Sequence, residues 1–425
     1  MKKKEFTKII MGLFLLTGLL LVSCKGKRAD AKKFKPRLDI ETKSQITIVG
    51  NYKNFEALEA EFDRFNEIYP NVELSYLYLD NYKATIKSAM ASDSAPDIYM
   101  TFPWMLDKED YKDVIDSAEN MSDEKALGYN LATIRKQLIA RTSDGKVPMV
   151  PVLSGSYGMM VNEDIFKKEG LELPNNYMEF VEVCKKLKEA GYPSPIMAYV
   201  ESFMTLPMIY SYFCKSIQNN PQAIEQLNAL DKSAGQYLKP TLEWAQSFKE
   251  AEIIDYSYCR VLKDKYNSAI LRFFEGDVPI LLCDTETVSG TLKRESQSEA
   301  FVKNPFKYSF RIFPATDEGS DFVNSVVIGF SINKNSDNLD MTNEFMRFLI
   351  RTDELNNLAK IKRLITTSTD NSFDEMYTPL SKSNPIYLDE LGLVDNATAQ
   401  MRNAVYKVLR GDMTVDEAVA NYGSF

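Results

Sequence analysis

The sequence predicts an α/β protein built in two lobes, each a mostly parallel sheet flanked by helices. Three observations carry that expectation. The chain has 425 residues, more than one hydrophobic core holds, so it should divide. From Gln45 onward, runs with strand and helix periodicity alternate, the order of a parallel sheet with helices on its faces. In residues 147–166, two short apolar runs, Val147–Leu153 and Tyr157–Val161, flank Ser154-Gly155-Ser156. The stretch reads as a strand leaving one lobe, a flexible crossing at Ser154, Gly155 and Ser156, and a strand entering the second. Taken alone, it fits equally well two neighbouring strands of one sheet joined by a loop. The alternation on both sides favours the hinge.

Bulk composition excludes several function classes. At 44% hydrophobic and 26% charged residues, the chain is ordinary for a globular protein. A net charge of −9 leaves no basic footprint for nucleic acid. There is no histidine, which removes Ser-His-Asp and Cys-His nucleophilic sites and His-based zinc sites. No metal and no cofactor is expected, and an enzyme here would have to run on carboxylates, Lys, Tyr or a bound cofactor.

Residues 1–24 read as a targeting segment. Lys2, Lys3, Lys4 and Lys8 precede the apolar run Ile9–Val22, which is short for a transmembrane helix. It ends in Leu21-Val22-Ser23-Cys24, which resembles the bacterial lipobox. That resemblance implies lipidation at Cys24 and a membrane anchor, since two or more chains hold stably where one is marginal. An ordinary cleaved signal with an incidental Cys is the alternative. Residues 25–44 are charged and lack apolar periodicity, as a solvated tether would. Exterior placement permits disulfides. However, Cys184 falls in a helical pattern and Cys283 ends a strand, so Cys184, Cys214, Cys259 and Cys283 are expected as buried thiols.

The folded part opens with a strand at Gln45–Gly50. A helix follows over Asn54–Tyr69, with Phe55, Leu58, Phe62, Phe65 and Ile68 on one face and Pro70 as its stop. Val72–Leu77 and Ile98–Phe102 read as strands around the helix Tyr82–Met90. Ligands of such sheets sit beyond the carboxyl ends of the strands. Those ends offer Asn51, Tyr52, Asp80 and Tyr82, each equally a turn or packing residue, and Trp104. Trp104 is the best candidate for a stacking platform, in a chain with only 2 Trp. Beyond the crossing come helices at Asn175–Ala190, Ser202–Cys214, Pro221–Leu230, Pro240–Ala251 and Asn267–Glu275. Strands are expected at Pro195–Tyr199, Val278–Cys283, Tyr308–Phe313 and Val326–Ile332. Asn338–Ile350, Asp353–Lys360, Ala397–Leu409 and Thr414–Tyr422 read as helices, and Trp244 as core.

Ordered segments along this chain resemble the extracellular solute-binding proteins of carbohydrate ABC importers, the family that includes maltose-binding proteins. Leu58–Val72 is similar to its opening helix and strand, Ser94–Ile98 to its "P-D-I/V" strand entry, and Ser156–Phe166 to its crossing, with Val161 in place of a Tyr. Phe274–Asp277, Ile328–Ser336 and Leu409–Ala418 are similar to three later family segments. Two stretches depart: Asp284-Thr285-Glu286 stands where the family has Gly-Ser-Trp, and Arg363–Thr367 lacks its Gly and Pro. Both departures fall on ligand-facing loops.

The resemblance implies a type II periplasmic-binding-protein-like fold, with lobes at 45–154 plus 284–331 and at 156–282 plus 338–425. Crossings are expected near Ser154–Tyr157, Cys283–Glu286 and Phe330–Asn338, with closure by hinge bending. It implies cleft roles for Glu201 and Phe203, for Asp284 and Glu286, and for Arg363. The implied function is capture of a carbohydrate, an oligosaccharide, by a lipid-anchored monomer on the outer face of the cell membrane, and its delivery to ABC permease subunits. A binding protein for a non-sugar solute or a sensor partner is the alternative. A glycosidase using Asp284 and Glu286 needs no histidine but is disfavoured, because acids two residues apart at a strand end usually contact ligand or solvent.

Overall fold

The structure is a computed structural model that describes residues 34–425 apart from 107, 124–126, 200–206, 260, 263, 265–266, 371–372 and 383. The targeting segment, Cys24, residues 25–33 of the tether, Glu201 and Phe203 lie outside the described residues. Among the described residues, no helix is long and apolar enough to cross a membrane.

β1 (Ser44–Gly50) pairs in parallel with β2 (Val72–Tyr78) on one side and β3 (Ile98–Thr101) on the other. The intervening α1 (Glu56–Asn66) buries Leu58, Phe62 and Phe65, the face its periodicity predicts. Phe65 meets the rings of Tyr69, Phe345 and Phe348, and full burial of one such side chain stabilises by about 1.5–3 kcal/mol. The helix stops short of Pro70 because the Asn66 side chain donates to the Tyr69 and Val72 carbonyls, closing the turn into β2. α2 (Tyr82–Met90) links β2 to β3.

The centre of the sheet differs from the sequence reading. β4 (Val150–Asn162) is one strand of 13 residues, with no loop at 154–156. Its first half runs antiparallel to β8 (Val323–Ile332), from Val150 opposite Phe330 to Ser156 opposite Asn324, with register shifts around Leu153. Its second half takes β6 (Ile280–Asp284) and β7 (Tyr308–Arg311) as antiparallel neighbours. β8 continues antiparallel onto β3, and β6 onto a parallel β5 (Ile196–Met197). The two-residue strands β9 (Ile365–Thr366) and β10 (Ile386–Tyr387) add to β4 and β8. The sheet order β2-β1-β3-β8-β4-β6-β5 is therefore mixed: parallel toward its edges, antiparallel where β4 and β8 run through its middle.

Ser154 and Ser156 look like loop residues but are buried, and tertiary partners satisfy them. The Ser154 hydroxyl accepts from Arg135 Nη2 and Asn324 Nδ2 and donates to the Ile365 carbonyl. Asn324 Nδ2 also donates to the Gly155 carbonyl at 2.9 Å. The Ser156 N–H donates to Thr285 Oγ1 at 3.1 Å. Buried polar groups with partners no longer oppose strand formation.

Around the second half of β4 lies a large core. It takes Phe180 and Leu187 from α3 (Tyr177–Glu189), Phe213 from α4 (Pro207–Ile217), and Leu242 and Trp244 from α5 (Gly235–Glu250). α5 starts five residues before Pro240, which sits inside it. α6 (Thr285–Gln297) packs on β4 and on the 267–273 helix. α7 (Leu339–Leu349) and α8 (Thr352–Lys362) return to the other half, α8 lying on α1 and α7 on β1. α9 (Asp395–Arg410) and α10 (Val415–Ala420) close on α5.

Residues 308–311 pair with the second half of β4 and α6 packs on β4, while α7 packs on β1 and α8 on α1. The chain thus passes between the halves along β4, between β7 and β8, and after α8. The elements flanking Cys283–Glu286, and those flanking Phe330–Asn338, lie within one half each. Cys184, Cys214, Cys259 and Cys283 are buried and form no disulfide.

Candidate functional site

β3 delivers the first wall of a cavity at the middle of the sheet. The chain leaves it through a single 3₁₀ turn, Pro103–Met105, with Pro at its start and Met105 buried beneath. Phe102 and Trp104 remain half-buried above, their rings stacked at 5.8 Å and 11°, with Tyr111 edge-on to Trp104 at 5.2 Å. The ammonium groups of Lys83 and Lys108 lie 4.5 and 4.9 Å from the centre of the Trp104 ring.

β4, β6 and β8 supply the rest. Phe102 and Trp104, Gly155–Tyr157 of β4, Asp284–Glu286 at the β6–α6 junction and Ser325–Val327 of β8 enclose about 250 Å³. The sequence reading thus finds Trp104, Asp284, Glu286, Gly155 and Ser156 in one place. Asp284 also caps α6: its Oδ1 accepts from the Thr287 N–H at 2.8 Å and the Thr287 hydroxyl at 2.7 Å. A capping carboxylate at a helix N-terminus is favourable. Glu286, in the first turn of that helix, accepts a bond from the Tyr52 hydroxyl at 3.4 Å. Lys362 Nζ sits 4.3 Å from the centre of the Tyr52 ring. Burial lowers the Lys362 pKa, against the opposing pull of Glu56 and Glu286. Tyr157 stacks on Tyr210 at 5.0 Å, and burial holds its hydroxyl well above the usual range.

The other expected residues go elsewhere. Tyr82 is buried, its hydroxyl donating to the Met100 carbonyl at 2.6 Å, so it is a core residue. Asp80 is exposed and builds a turn, accepting from the Tyr78 hydroxyl and the Asn81 N–H. Asn51 is exposed, and its N–H points at Met100 Sδ. Arg363 bonds Thr291, Glu295 and Tyr308 and lines a different cavity of about 890 Å³. Phe102, Tyr157, Thr285 and Ser325–Val327 are additions. Phe102 could have been found as the second aromatic at the end of β3, whereas the β8 residues carry no local signal.

Two larger cavities fit a ligand less well despite their size. Around the 890 Å³ space, Arg363 pairs with Glu295 and Arg311 with Glu163. In a groove of about 950 Å³ beside Lys112, Lys112 pairs with Asp116 and Lys146 with Asp144. Their charges already meet one another. Among the described residues, the smaller cavity joins aromatic faces to carboxylates at the centre of the sheet. Among the described residues, no group of three or more Cys, Asp or Glu side chains is placed to hold a metal.

A family model described as bacterial extracellular solute-binding protein matches residues 50–354. The multiple sugar-binding protein of Streptococcus mutans serotype c is 23% identical over 190 residues, 44% of this chain and 42% of the relative. A putative ABC transporter periplasmic-binding protein of Escherichia coli, YcjN, is 24% identical over 193 residues, 43% of this chain and 41% of that one. The chain therefore matches about two fifths of the length of these curated relatives. Among solved structures, apo RafE from Streptococcus pneumoniae superposes with a TM-score of 0.67 at 17% identity, covering 90% of this chain and 97% of that one. A mannobiose complex of the ABC transporter binding protein BlMnBP1 from Bifidobacterium animalis subsp. lactis gives 0.62 at 16% identity, covering 90% and 93%. The α/β architecture is thus that of these periplasmic-binding structures.

Proposed function

The chain belongs to the family of bacterial extracellular solute-binding proteins, and on that premise we propose that it captures a carbohydrate in the Trp104 cavity for an ABC importer. The carrying observation is the cavity itself: the stacked Phe102–Trp104 pair lines the same space as Asp284 and Glu286. A sugar offers apolar C–H faces to aromatic rings and hydroxyls to carboxylates, and that wall presents both. RafE has also been solved with raffinose bound, which supports a saccharide ligand, the preferred candidate being an oligosaccharide.

In this reading, β1–β3 with α7 and α8 make one lobe. The second half of β4, β5–β7, α3–α6, α9 and α10 make the other. Closure bends the chain at Ser154–Ser156 and at the two later passages between lobes. Ligand acts by binding the closed form better than the open one, and permease subunits read that form. The protein is a monomer anchored at the outer face of the membrane by lipid on Cys24, and it does no chemistry. Mass spectrometry of the small molecule released from protein purified without added sugar tests the ligand class. An oligosaccharide is expected; a peptide or a ferric chelate would overturn it.

A further inference from the structure

Residues 36–44 do not hang free ahead of the sheet. The Arg37 N–H donates to Glu344 Oε1 at 2.9 Å. That carboxylate is buried on α7, where it also accepts from the Tyr69 hydroxyl and pairs with Arg347. The Leu38 N–H reaches the Tyr69 hydroxyl at 3.4 Å. Asn71 Nδ2 donates to the Glu41 carbonyl at 3.3 Å, and the Ser44 hydroxyl donates to Asn338 Oδ1 at 2.8 Å. The folded body therefore begins at Pro36, and only 11 residues, 25–35, separate it from Cys24. They hold Lys25, Lys27, Arg28, Lys32, Lys33 and Lys35 against the single acid Asp30, a net +5. Residues 1–24 carry +3 and the whole chain −9, which leaves −17 on residues 36–425. A compact positive block stands between the expected lipid site and an acidic body.

We propose that residues 25–35 bind the anionic headgroups of phospholipids, a second and electrostatic hold on the membrane beside the lipid expected at Cys24. Placement selects the partner: a chain held at Cys24 presents this block to the headgroups before any folded residue. Each Lys or Arg near an anionic surface strengthens such binding about five-fold. The attraction fades within a screening length of about 8–10 Å, so distance matters. Fully extended, the 11 residues reach about 40 Å, whereas a tether running on to Ser44 would reach about 70 Å. The bonds to Glu344, Tyr69 and Asn338 shorten the leash and keep the start of the body near the headgroups. The negative charge of the body opposes adsorption of its own surface, which leaves the contact to the basic block.

The test needs neither a sugar nor the lipid. Residues 24–425, which hold the whole described body, are prepared with Cys24→Ser so that no acyl chain attaches. The protein is sedimented with sucrose-loaded vesicles of phosphatidylcholine alone, or with about one third phosphatidylglycerol, in about 0.1 M salt, where the screening length is about 10 Å. The anionic vesicles should carry the protein down and the neutral ones should not. Lys32→Gln, Lys33→Gln and Lys35→Gln together should weaken that binding about a hundred-fold, at about five-fold for each charge. About 1 M salt, where screening falls to about 3 Å, should abolish it. The three lysines precede the folded body, so the variant should unfold at the temperature of the parent. No binding of the parent to anionic vesicles would overturn the proposal. So would binding that the triple variant retains, which would belong to the body, or equal binding to neutral vesicles, which would be apolar insertion. Each of these outcomes leaves the carbohydrate reading standing.

Discussion

Gly155→Ala puts one methyl group at the point where the fold and the cavity meet. Gly155 is paired with Ser325 inside β4, and its backbone conformation is open to alanine, so strain comes from space alone. A Cβ there would sit 2.6 Å from Thr285 Oγ1 and 2.6 Å from Val327 Cγ2, both well inside contact distance. Neither neighbour yields freely. Val327 is β-branched on a paired strand, and Thr285 Oγ1 accepts the Ser156 N–H. Rotating Thr285 away sacrifices that bond, a net loss of about 0.5–1.5 kcal/mol. Shifting the strand instead incurs the usual overpacking cost of about 1–3 kcal/mol. The stiffer unfolded chain returns about 0.4–1 kcal/mol. The balance is a destabilisation of about 1–2 kcal/mol, read as a lowered urea midpoint with unchanged slope. Because Thr285 and Val327 also wall the cavity, ligand affinity should fall as well. A variant within about 0.3 kcal/mol of the parent, below the error of such comparisons, would refute this picture of the β4–β8–α6 junction.

Two further outcomes concern buried ionisable groups. Glu61 is fully buried between α1 and α8, takes a bond from Asn357 Nδ2, and has Arg64 at 3.3 Å and Glu354 nearby; burial pushes its carboxyl from 4.5 up to about 7. The folded chain therefore holds this proton more tightly than the unfolded one. Its contribution is complete below pH 4.5 and is lost as pH rises through about 7, at most about 3 kcal/mol. Glu61→Gln should flatten stability across that window, and an unchanged pH slope would count against it. Burial also raises the thiols of Cys214 to about 12 and Cys259 to about 11, and Cys184 further still. With Cys24→Ser, an aromatic disulfide reagent near neutral pH should therefore modify no thiol in the folded chain and all four after unfolding; rapid labelling of the folded chain would contradict the burial.

Local periodicity made the outer elements legible. α2 was readable to the residue at Tyr82–Met90 and β1–β3 to within a residue or so, because each answers to its own sequence. The junctions were not, because distant partners decide them. Ser154-Gly155-Ser156 has the composition of a loop and becomes strand only when Arg135, Asn324 and Thr285 satisfy it. Thr285–Gln297 is polar, with Gly290 in its middle, so nothing local announces a helix; the Asp284 cap and packing on β4 make it one. Pro240 looked like a helix start, but the Asp231 turn and Gly235 begin α5 earlier. In the site, Trp104, Asp284 and Glu286 could be found as strand-end residues, while Tyr82 shared that signal and turned inward, and Arg363, which the resemblance implied, lines another cavity.

Calorimetric titration of the protein and of Trp104→Ala with a panel of neutral oligosaccharides tests the central claim most directly. At least one sugar should bind the parent with one-to-one stoichiometry. Trp104→Ala should weaken that sugar about ten-fold, since an aromatic face adds up to about 1.5 kcal/mol beyond its burial and about 1.4 kcal/mol is a factor of ten. Equal affinity in the variant, or no binding of any sugar by the parent at high protein concentration, would contradict the account.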